Sequence, residues 1–577
     1  MALTYAPQSV RASLRLGWRD GVLFIAVFGL LIGVLRLAHQ MHAPFTPVST
    51  LNIDLSPAAL PGYAARSLLR MFLAFGASIL FTLVYGYVAA NNKHAQKVLV
   101  PLLDILQSVP VLGFLSITVT GFMALFPGSL MGLECASVFA IFTGQAWNMT
   151  FSFYQSLRTI PKELREAATV YQLTWWQRFV KLEVPFSMIG LVWNGMMSFG
   201  GGWFFLAASE AISVLNNNFK LPGIGSYMAT AVEKGDTRAV ACAIVTMILI
   251  VVLVDQLFWR PVVAWSQKFK FEQTDSANEP TSAVLDLLRH SAGLAWVRER
   301  ALAPAGQAVG SLLARGARLT IIGPVPVIVK RAFQTVLLGG IVLFIAYGLF
   351  RGAGELRGAV TWGDAGHVVY LGFLTFLRVA VMVVFATLVW TPVGVAIGFS
   401  PRLARIAQPL VQIGASFPAN LIFPVVVLVF IKLHISLNWG SVLLIALGTQ
   451  WYILFNVIAG ASAVPGDLRE AAQVFHLRGW MLWRTLILPA IYPAWVTGAL
   501  TAAGGAWNAS IVAEVASWGS SHLEAQGLGA YVAQATNQGN WPQIILGIAV
   551  MSAYVVLLSR FVWKPLYALG EARFRLG

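Results

Sequence analysis

The chain has 577 residues, of which 58% are hydrophobic and only 11% are charged, and its mean hydropathy is +0.74. Soluble domains carry roughly a quarter charged residues, so this composition excludes an ordinary soluble protein and indicates an integral membrane protein. Basic residues outnumber acidic ones by 39 to 23, but they concentrate in particular loops, as cytoplasmic segments of membrane proteins do, which argues against nucleic-acid binding.

Apolar runs long enough to cross a bilayer predict the elements in chain order. Closely alternating ten-residue strands are absent from the sequence, so we predict an all-α membrane protein with 12 transmembrane helices. The predicted spans are 20–38, 65–90, 98–126, 132–156, 185–208, 238–261, 332–350, 367–398, 405–432, 438–461, 489–513 and 541–563. Cys135 and Cys242 both fall in apolar spans, which makes a disulfide framework unexpected.

The basic residues orient these spans. Arg11, Arg15 and Arg19 precede the first apolar run, which has no small-residue cleavage site, so we predict a retained first helix with the N-terminus in the cytoplasm. An even number of spans then returns the C-terminus to the same side.

The chain is an internal duplication. At a constant offset of 304 residues, Pro161 matches Pro465, Trp203 matches Trp507, and many further pairs extend from Gly144 to Pro565 without a gap. Upstream the offset is 308, which pairs Arg70 with Arg378. Each half carries six predicted spans, so the two insert in the same sense, as a parallel repeat.

The duplication predicts three segments. Residues 1–265 form the first half, 331–577 form the second half, and 266–330 form a polar cytoplasmic linker. Within the linker, "AVLDLLRHSAGLAWVRERAL" has a helical apolar stripe with basic residues, which is typical of a helix on the membrane surface. A regulatory helix is the alternative.

One polar segment appears in both halves, as "LREAATVYQL" and "LREAAQVFHL". Each copy follows a proline and an acidic residue, which suit the first turn of a helix. An apolar stripe with small residues at its centre recurs at helical spacing, so a partner can approach closely. The stripe comprises Leu164, Ala167, Ala168 and Tyr171 in the first copy, and Leu468, Ala471, Ala472 and Phe475 in the second.

These residues resemble the coupling-helix loop of permease subunits of binding-protein-dependent ABC importers, in which "EAA" is followed by a closing proline. Downstream, "GGAWNASIVAEV" with "GLGAYV", and its first-half counterpart "GGGWFFLAASEA" with "GIGSYM", resemble the nitrate/sulfonate/taurine branch. The resemblance covers both halves. It implies a fused, duplicated permease in the inner (cytoplasmic) membrane of a bacterium.

The resemblance also implies partners. In the family this loop docks on a cytoplasmic ATPase, so two ATPase subunits and an extracytoplasmic substrate-binding protein are expected. The coupling residues carried over are Leu164, Arg165, Glu166, Ala167, Ala168 and Tyr171, with Leu468, Arg469, Glu470, Ala471, Ala472 and Phe475. The family usually has Gly four residues after the second Ala. This chain has Gln172 and His476 there, so the shape of the turn is left open.

The chain is not expected to be an enzyme. It contains no Gly-Lys dipeptide, hence no phosphate-binding loop, so ATP and Mg²⁺ are expected in the partner ATPases and no cofactor in this chain. The histidines show no metal-ligand spacing, and no metal site is predicted.

Charged residues inside spans suggest the substrate path, because they are costly in a bilayer. Arg70 and Arg378 are equivalent residues near the predicted outer side, where guanidinium groups would attract an anion. The alternative is that they snorkel or pair with Glu210 and Glu514.

Further candidates for the path lie in the third and fifth predicted spans, where prolines, glycines and polar residues interrupt the apolar sequence. They are Ser108, Ser416, Asn420, Trp203, Trp507, Asn508 and Ser510. Glu210 and Glu514, at the outer ends of spans, are also candidates for the path. For either Trp, packing is the alternative to substrate contact.

The function that follows is the translocation path of an ATP-driven importer for a small anionic solute. An ion-gradient-driven secondary transporter is the rival interpretation. Few carboxylates lie within the spans to couple protons or sodium ions, which favours the importer.

Overall fold

The computed structural model describes residues 18–41, 52–214, 217–269, 282–297 and 357–573, with scattered positions between 299 and 356. Most of the predicted seventh span, 332–350, lies outside them, as do Arg11 and Arg15. By internal contacts the chain divides into two compact units. One comprises residues 1–40, 152–193 and 253–341, and the other comprises 41–151, 194–252 and 342–577.

The first unit consists of helices around the first polar repeat and the linker. Its described elements are Trp18–Met41, the end of Met131–Arg158, Lys162–Val170, Trp175–Arg178, the start of Val184–Glu210, Arg260–Ser266, Ala283–Arg289 and Ala292–Val297. The Asp20 carboxylate accepts hydrogen bonds from Ser291 Oγ (2.7 Å) and from the backbone N–H of Gly293 (2.9 Å). These bonds fasten the linker to the first helix. The predicted linker helix is broken at His290 and Ser291 into two shorter ones.

The second unit holds the longest apolar helices. Its elements are Leu60–Asn91, Lys93–Ser108, Leu115–Leu125, Met131–Arg158 up to residue 151, Val184–Glu210 from residue 194, Ile224–Glu233, Thr237–Val254, Trp362–Phe399, Pro401–Ser416, Phe423–Leu433, Leu437–Ser462, Gly466–Val474, Gly479–Leu482, Leu488–Ala513, Leu528–Gln538, Trp541–Leu558 and Lys564–Arg573. Among the described residues, six helical stretches have the length and hydropathy of a membrane span. Twelve spans with cytoplasmic termini therefore stay a prediction.

The third predicted span is broken in both halves. Lys93–Ser108 ends before Pro110, and a short 3-10 turn at Val111–Phe114 leads into Leu115–Leu125. The second half repeats the break at Pro418. Proline has no N–H to continue the helical ladder, so the backbone must find other partners at each break.

Proline also explains four π-helical turns. They cover Phe179–Glu183, Asp255–Trp259, Trp483–Ile487 and Ser559–Trp563, each ending two residues before a proline. Because proline cannot donate to the carbonyl four residues back, the neighbouring backbone bonds widen to the fifth residue.

The prediction of an all-α chain is wrong at two short hairpins. Ala211–Val214 pairs with Asn217–Lys220, and Val515–Trp518 pairs with Ser521–Glu524, each antiparallel. Two residues join the strands of the second hairpin, and the first of them, Gly519, has φ +56°. Such a two-residue turn with Gly favours a hairpin over a continued helix. The first hairpin directly follows the helix Val184–Glu210, which ends at Glu210. The second hairpin begins after Glu514, the residue that follows the helix Leu488–Ala513.

Candidate functional site

The two polar repeats form short helices of equal length, Lys162–Val170 and Gly466–Val474, which we call the first and second EAA helices. Pro161 and Pro465 precede them with φ near −55°. The charged side chains at Glu166 and Glu470 are exposed, as expected for a face turned to solvent.

Both EAA helices end in the same left-handed turn although neither copy has glycine there. Gln172 has φ +49° and His476 has φ +51°. In the first copy, the N–H of Leu173 donates to the Ala168 carbonyl (3.0 Å), and the N–H of Gln172 donates to the Thr169 carbonyl (2.9 Å). These two bonds are the Schellman pattern, which satisfies the last carbonyls of a helix.

The second copy repeats the pattern. Leu477 donates to the Ala472 carbonyl (2.9 Å), and His476 donates to the Gln473 carbonyl (3.0 Å). The turn that the family builds with glycine is therefore present here with other residues. A left-handed conformation costs an L-residue about 1–2 kcal/mol, which the backbone bonds must offset.

An arginine ties each EAA helix to the end of the preceding long helix. The Arg165 guanidinium donates to the Leu157 carbonyl, and Arg469 donates to the Ala461 carbonyl (2.8 Å). Arg469 also lies over the Phe399 ring, 4.4 Å from its centroid. Each EAA helix is therefore joined by a side-chain bond to the end of the long helix before it.

The predicted apolar stripe divides between two faces. Ala168 and Ala472 are buried and each accepts a turn hydrogen bond. Leu164, Ala167 and Ala471 are partly buried, whereas Leu468 is exposed.

Tyr171 and Phe475 point outward, with 78% and 75% of their surface exposed, beside equally exposed Val170 and Val474. The alanines thus pack against the chain itself, while an aromatic and a valine form an apolar tip. The same small apolar surface therefore stands at the end of both EAA helices.

A buried ionic cluster surrounds Arg70 in the second unit. Its Nε and Nη2 donate to both oxygens of Glu134 (2.5 and 2.7 Å), and its Nη1 donates to Glu210 Oε1 (2.6 Å). Ser67 Oγ also donates to Glu210 Oε1 (2.6 Å), and the Gly225 N–H donates to Oε2 (2.7 Å). We call these residues the first arginine cluster.

The second arginine cluster repeats this arrangement with two changes of residue. Arg378 Nη1 donates to Glu514 Oε1 (2.9 Å), and Thr375 takes the place of Ser67 (2.8 Å). Asn438 stands where the first cluster has Glu134, and it accepts from Arg378 through its side-chain Oδ1 and its backbone carbonyl, both at 3.1 Å.

The arginines are therefore paired with Glu210 and Glu514, which is the alternative to anion attraction. Both guanidinium groups are buried, and each makes four of its five possible donations within its cluster, including one to the backbone at Pro222 or Gln526. Each cluster connects the long helix that carries its arginine to the loop after the hairpin of the same half. A role of Arg70 and Arg378 in the substrate path stays a prediction.

The predicted tryptophans lie in the core. Trp203 and Trp507 are 1% and 2% exposed. Trp203 meets Phe199 edge to face, and Trp507 stacks on Tyr554, both at 5.8 Å between centroids. Their surroundings are those of packing residues.

The predicted asparagines join one half to the other at the broken third spans. Asn508 Oδ1 accepts from the N–H of Val111 (2.7 Å), the residue after Pro110. Asn420 Nδ2 donates to the Phe204 carbonyl (3.2 Å). The Val111 N–H, freed at the break beside Pro110, is thus satisfied by the other half.

The three serines predicted to line the path lie in different surroundings. Ser510 is buried and donates to the Trp507 carbonyl (2.8 Å). Ser416 lies at the wall of a cavity. The side chain of Ser108 lies outside the described part of the structure.

Sequence reasoning missed four cluster members: Ser67, Glu134, Thr375 and Asn438. The repeat contained a signal for them, since Ser67 matches Thr375 at the offset of 308 and Glu134 matches Asn438 at 304. An acid opposite an amide at equivalent positions marks a polar site whose ligands differ between the halves.

The described part of the chain thus combines long apolar helices, two buried ionic clusters and two exposed polar helices. Comparison with known proteins identifies its family. Residues 79–258 and 390–575 each match the family described as binding-protein-dependent transport system inner membrane component.

Each of the following relatives is similar to less than half of this chain. The chain is 26% identical over 213 residues to the nitrate import permease protein NrtB of Leptolyngbya laminosa, covering 37% of this chain and 70% of NrtB. It is 27% identical over 185 residues to the bicarbonate transport system permease protein CmpB of Synechococcus elongatus, covering 32% and 63%. It is 25% identical over 265 residues to the putative aliphatic sulfonates transport permease protein SsuC of Bacillus subtilis, covering 44% and 91%.

The chain therefore belongs to this family of inner membrane transport components, as a fused permease of the nitrate/sulfonate/taurine ABC importer branch. The family's members are multi-pass membrane proteins and not themselves enzymes.

Proposed function

We propose that this chain forms the complete translocation path of an ATP-driven bacterial importer for a small anionic solute. Separate ATPase subunits bind the two EAA helices, one at each, and an extracytoplasmic binding protein delivers the solute. Twelve spans, six in 1–265 and six in 331–577, carry the path, with both termini and the 266–330 linker in the cytoplasm. The relatives named for nitrate, bicarbonate and aliphatic sulfonates support an anion.

The observation that carries this proposal is the exposed apolar tip at the end of each EAA helix. Tyr171 and Phe475 are equivalent, equally exposed and held in the same turn geometry. Aromatic side chains that fill a pocket are typical anchors of protein interfaces. The Arg165 and Arg469 bonds then supply a rigid connection from each anchor to a long helix.

Transport would proceed by alternating access. ATP binding closes the two ATPases, and the closure draws the EAA helices together. The long helices before them move with them and reshape the path. ATP and Mg²⁺ reside in the ATPases, so the chain contributes docking and movement but no hydrolysis.

The proposal is tested by removing the anchors. The chain is co-expressed with its cognate ATPase and purified in lipid nanodiscs. The Tyr171→Ala, Phe475→Ala double variant should lose the ATPase on size-exclusion chromatography, because each aromatic anchor contributes about 2–4 kcal/mol. Trp439→Ala is the matched control, since Trp439 is 80% exposed and lies outside both EAA helices.

A second pair of variants separates docking from coupling. Glu166→Lys and Glu470→Lys reverse an exposed charge at the docking face, and we expect them to uncouple ATP hydrolysis from vanadate-sensitive uptake while the membrane part stays folded. The proposal is wrong if the double alanine variant retains both ATPases, or if uptake in both lysine variants is normal.

A further inference from the structure

One linker helix of the first unit is fastened to the start of the first long helix. The carboxylate of Asp20, near the beginning of Trp18–Met41, accepts its bonds from Ser291 and Gly293 at the beginning of Ala292–Val297. Asp20 and Ser291 are both buried. The linker is thus held at a fixed level along the first helix, and this level can be compared with the layers of a bilayer.

The first helix presents an exposed apolar face from the next turn onward. Phe24, Phe28 and Leu35 recur at helical spacing and are between 53% and 64% exposed. In a membrane protein such a face meets the hydrocarbon of the bilayer. Because Asp20 precedes Phe24 by one turn, the beginning of Ala292–Val297 lies at the edge of the hydrocarbon layer.

The other linker helix packs against the end of the sixth predicted span. Ala283–Arg289 contacts Arg260–Ser266, and the span is predicted to end at residue 261. A helical rise of about 1.5 Å per residue puts Trp265 about 6 Å beyond that end and Lys268 about 10 Å beyond it. The headgroup layers are roughly 5–8 Å thick on each side of the hydrocarbon. This end of the helix therefore lies in the headgroup layer and at its outer edge.

Two basic side chains at this level lie over aromatic rings. Lys268 Nζ is 4.3 Å from the centroid of the Trp265 ring and 4.8 Å from that of Phe269. The Arg300 guanidinium is 5.9 Å from the centroid of the Trp296 ring. Both cations and Trp296 are exposed. Lys268 reaches back over Trp265, toward the span, so its charge is directed to the headgroup layer. We call these five residues the linker surface.

The second half does not repeat the first of these pairs. At the offset of 304, Trp265 corresponds to Leu569 and Lys268 to Ala572. The cation and its ring are thus specific to the end of the half that leads into the linker.

We propose that the linker surface binds the headgroups of anionic phospholipids at the surface of the membrane. The rings suit the headgroup layer, where aromatic side chains place an apolar body against the hydrocarbon. The ammonium and guanidinium groups then meet the lipid phosphates. This surface is continuous with the exposed apolar face of the first helix, because Asp20 joins the two.

The charges of the linker favour an anionic lipid over a zwitterionic one. Asp286 and Glu299 are exposed in the same segment and offset part of its positive charge. Selection therefore depends on the two cations that lie over rings. A phosphatidylcholine headgroup carries its own cation beside the phosphate, whereas phosphatidylglycerol leaves the phosphate charge to Lys268 or Arg300.

Quenching by spin-labelled lipids tests the inference. The full chain carries Cys135→Ala and Cys242→Ala, and one reporter cysteine is added at a time, by Gln267→Cys beside Lys268 or by Leu294→Cys in the second linker helix. A fluorophore on the reporter is observed in nanodiscs that contain phosphatidylglycerol or phosphatidylcholine with a nitroxide on the acyl chain near the headgroup. Titrating each lipid against unlabelled phosphatidylcholine yields its relative binding constant at the reporter.

Each reporter should show a preference of about fivefold for phosphatidylglycerol, the contribution of one Lys or Arg near an anionic surface. Lys268→Gln should remove the preference at residue 267 and keep it at 294, whereas Arg300→Gln should do the reverse. Arg573→Gln is the matched control, since Arg573 is exposed and equivalent to Phe269 at the end of the second half; it should change neither. Higher salt should reduce the preference, because ions screen exposed charges.

Three results would overturn the inference. Equal binding constants for the two lipids at both reporters would mean that the surface does not select charge. Absence of quenching by either lipid would place the linker helices away from the membrane, as expected of a regulatory helix. Displacement of spin-labelled phosphatidylglycerol by soluble glycerol phosphate would make this a site for a soluble anion. The assay involves neither ATPase nor solute, so these failures are distinct from a failure of the proposed importer function.

Discussion

One difference between the two arginine clusters, Glu134 in the first against Asn438 in the second, makes a quantitative prediction. In the first cluster, Arg70 faces two carboxylates, Glu134 and Glu210, and Arg66 also interacts electrostatically with Glu134. In the second, Arg378 faces one carboxylate, Glu514, and the neutral Asn438. Glu134→Asn gives the first cluster the amide that the second has at this position. We expect this variant to fold with little loss of stability, because Arg70 keeps its 2.6 Å bond to Glu210.

Removing the arginine should be far more costly in the first cluster. Stranding one buried charge costs about 3–5 kcal/mol. Arg378→Met strands Glu514, whereas Arg70→Met strands Glu210 and also removes both bonds donated to Glu134, which keeps its electrostatic interaction with Arg66. Arg70→Met should therefore be the less stable variant, by less than the ~3 kcal/mol of a second fully stranded charge. Adding Glu134→Gln to Arg70→Met should recover most of that difference.

The measurement is the temperature at which half of the detergent-solubilised protein is lost from the monodisperse peak of a size-exclusion column. The expected order of stability is wild type, then Glu134→Asn, then Arg378→Met, then Arg70→Met. If Glu134→Asn proved as unstable as Arg70→Met, or if Glu134→Gln failed to rescue Arg70→Met, the inference that Glu134 depends on Arg70 would be wrong.

Two further predictions concern the EAA helices. Replacing Gln172 and His476 by Gly should preserve ATPase binding and raise stability by up to about 1 kcal/mol per site, since glycine relieves the left-handed strain but loses more entropy on folding. Val at the same positions should lower the thermal midpoint of unfolding. A lower midpoint for the Gly variants would contradict the presence of strain at these turns. Replacing Arg165 and Arg469 by Gln should leave the ATPase bound but reduce uptake per ATP hydrolysed. The reason is that the bonds to the Leu157 and Ala461 carbonyls are weakened. Normal coupling in that double variant would show that movement passes through other contacts.

The repeat made much of the fold predictable. Apolar runs placed most of the long helices in the described part of the chain to within a few residues, but not the short helices Ile224–Glu233 and Leu528–Gln538. The third span was predicted as one helix in each half, although Pro110 and Pro418 were recognised as interruptions. Pairing of each arginine with a glutamate was one of the two interpretations of Arg70 and Arg378. Opposite charges that recur together inside a bilayer are expected to pair. The structure contains both pairs, Arg70 with Glu210 and Arg378 with Glu514.

Other features depend on contacts that no local pattern encodes. Glu134 begins a helix 64 residues from Arg70, and only the packing of those helices brings them together. The left-handed turns at Gln172 and His476 are set by hydrogen bonds of their neighbours, so residue type alone pointed away from them. The hairpins escaped notice because their strands have four residues each, although Gly519 next to Ser520 is a recognisable turn signal.

The contrast between Glu134 and Asn438 has a genetic consequence. A permease assembled from two copies of one gene product must place the same residue at both equivalent positions, so an acid at one and an amide at the other cannot coexist. Joining the copies in one reading frame removes that constraint and also guarantees that every assembled particle contains one of each. The halves of this chain are therefore free to specialise, and the sites where they already differ show which side has acquired which task.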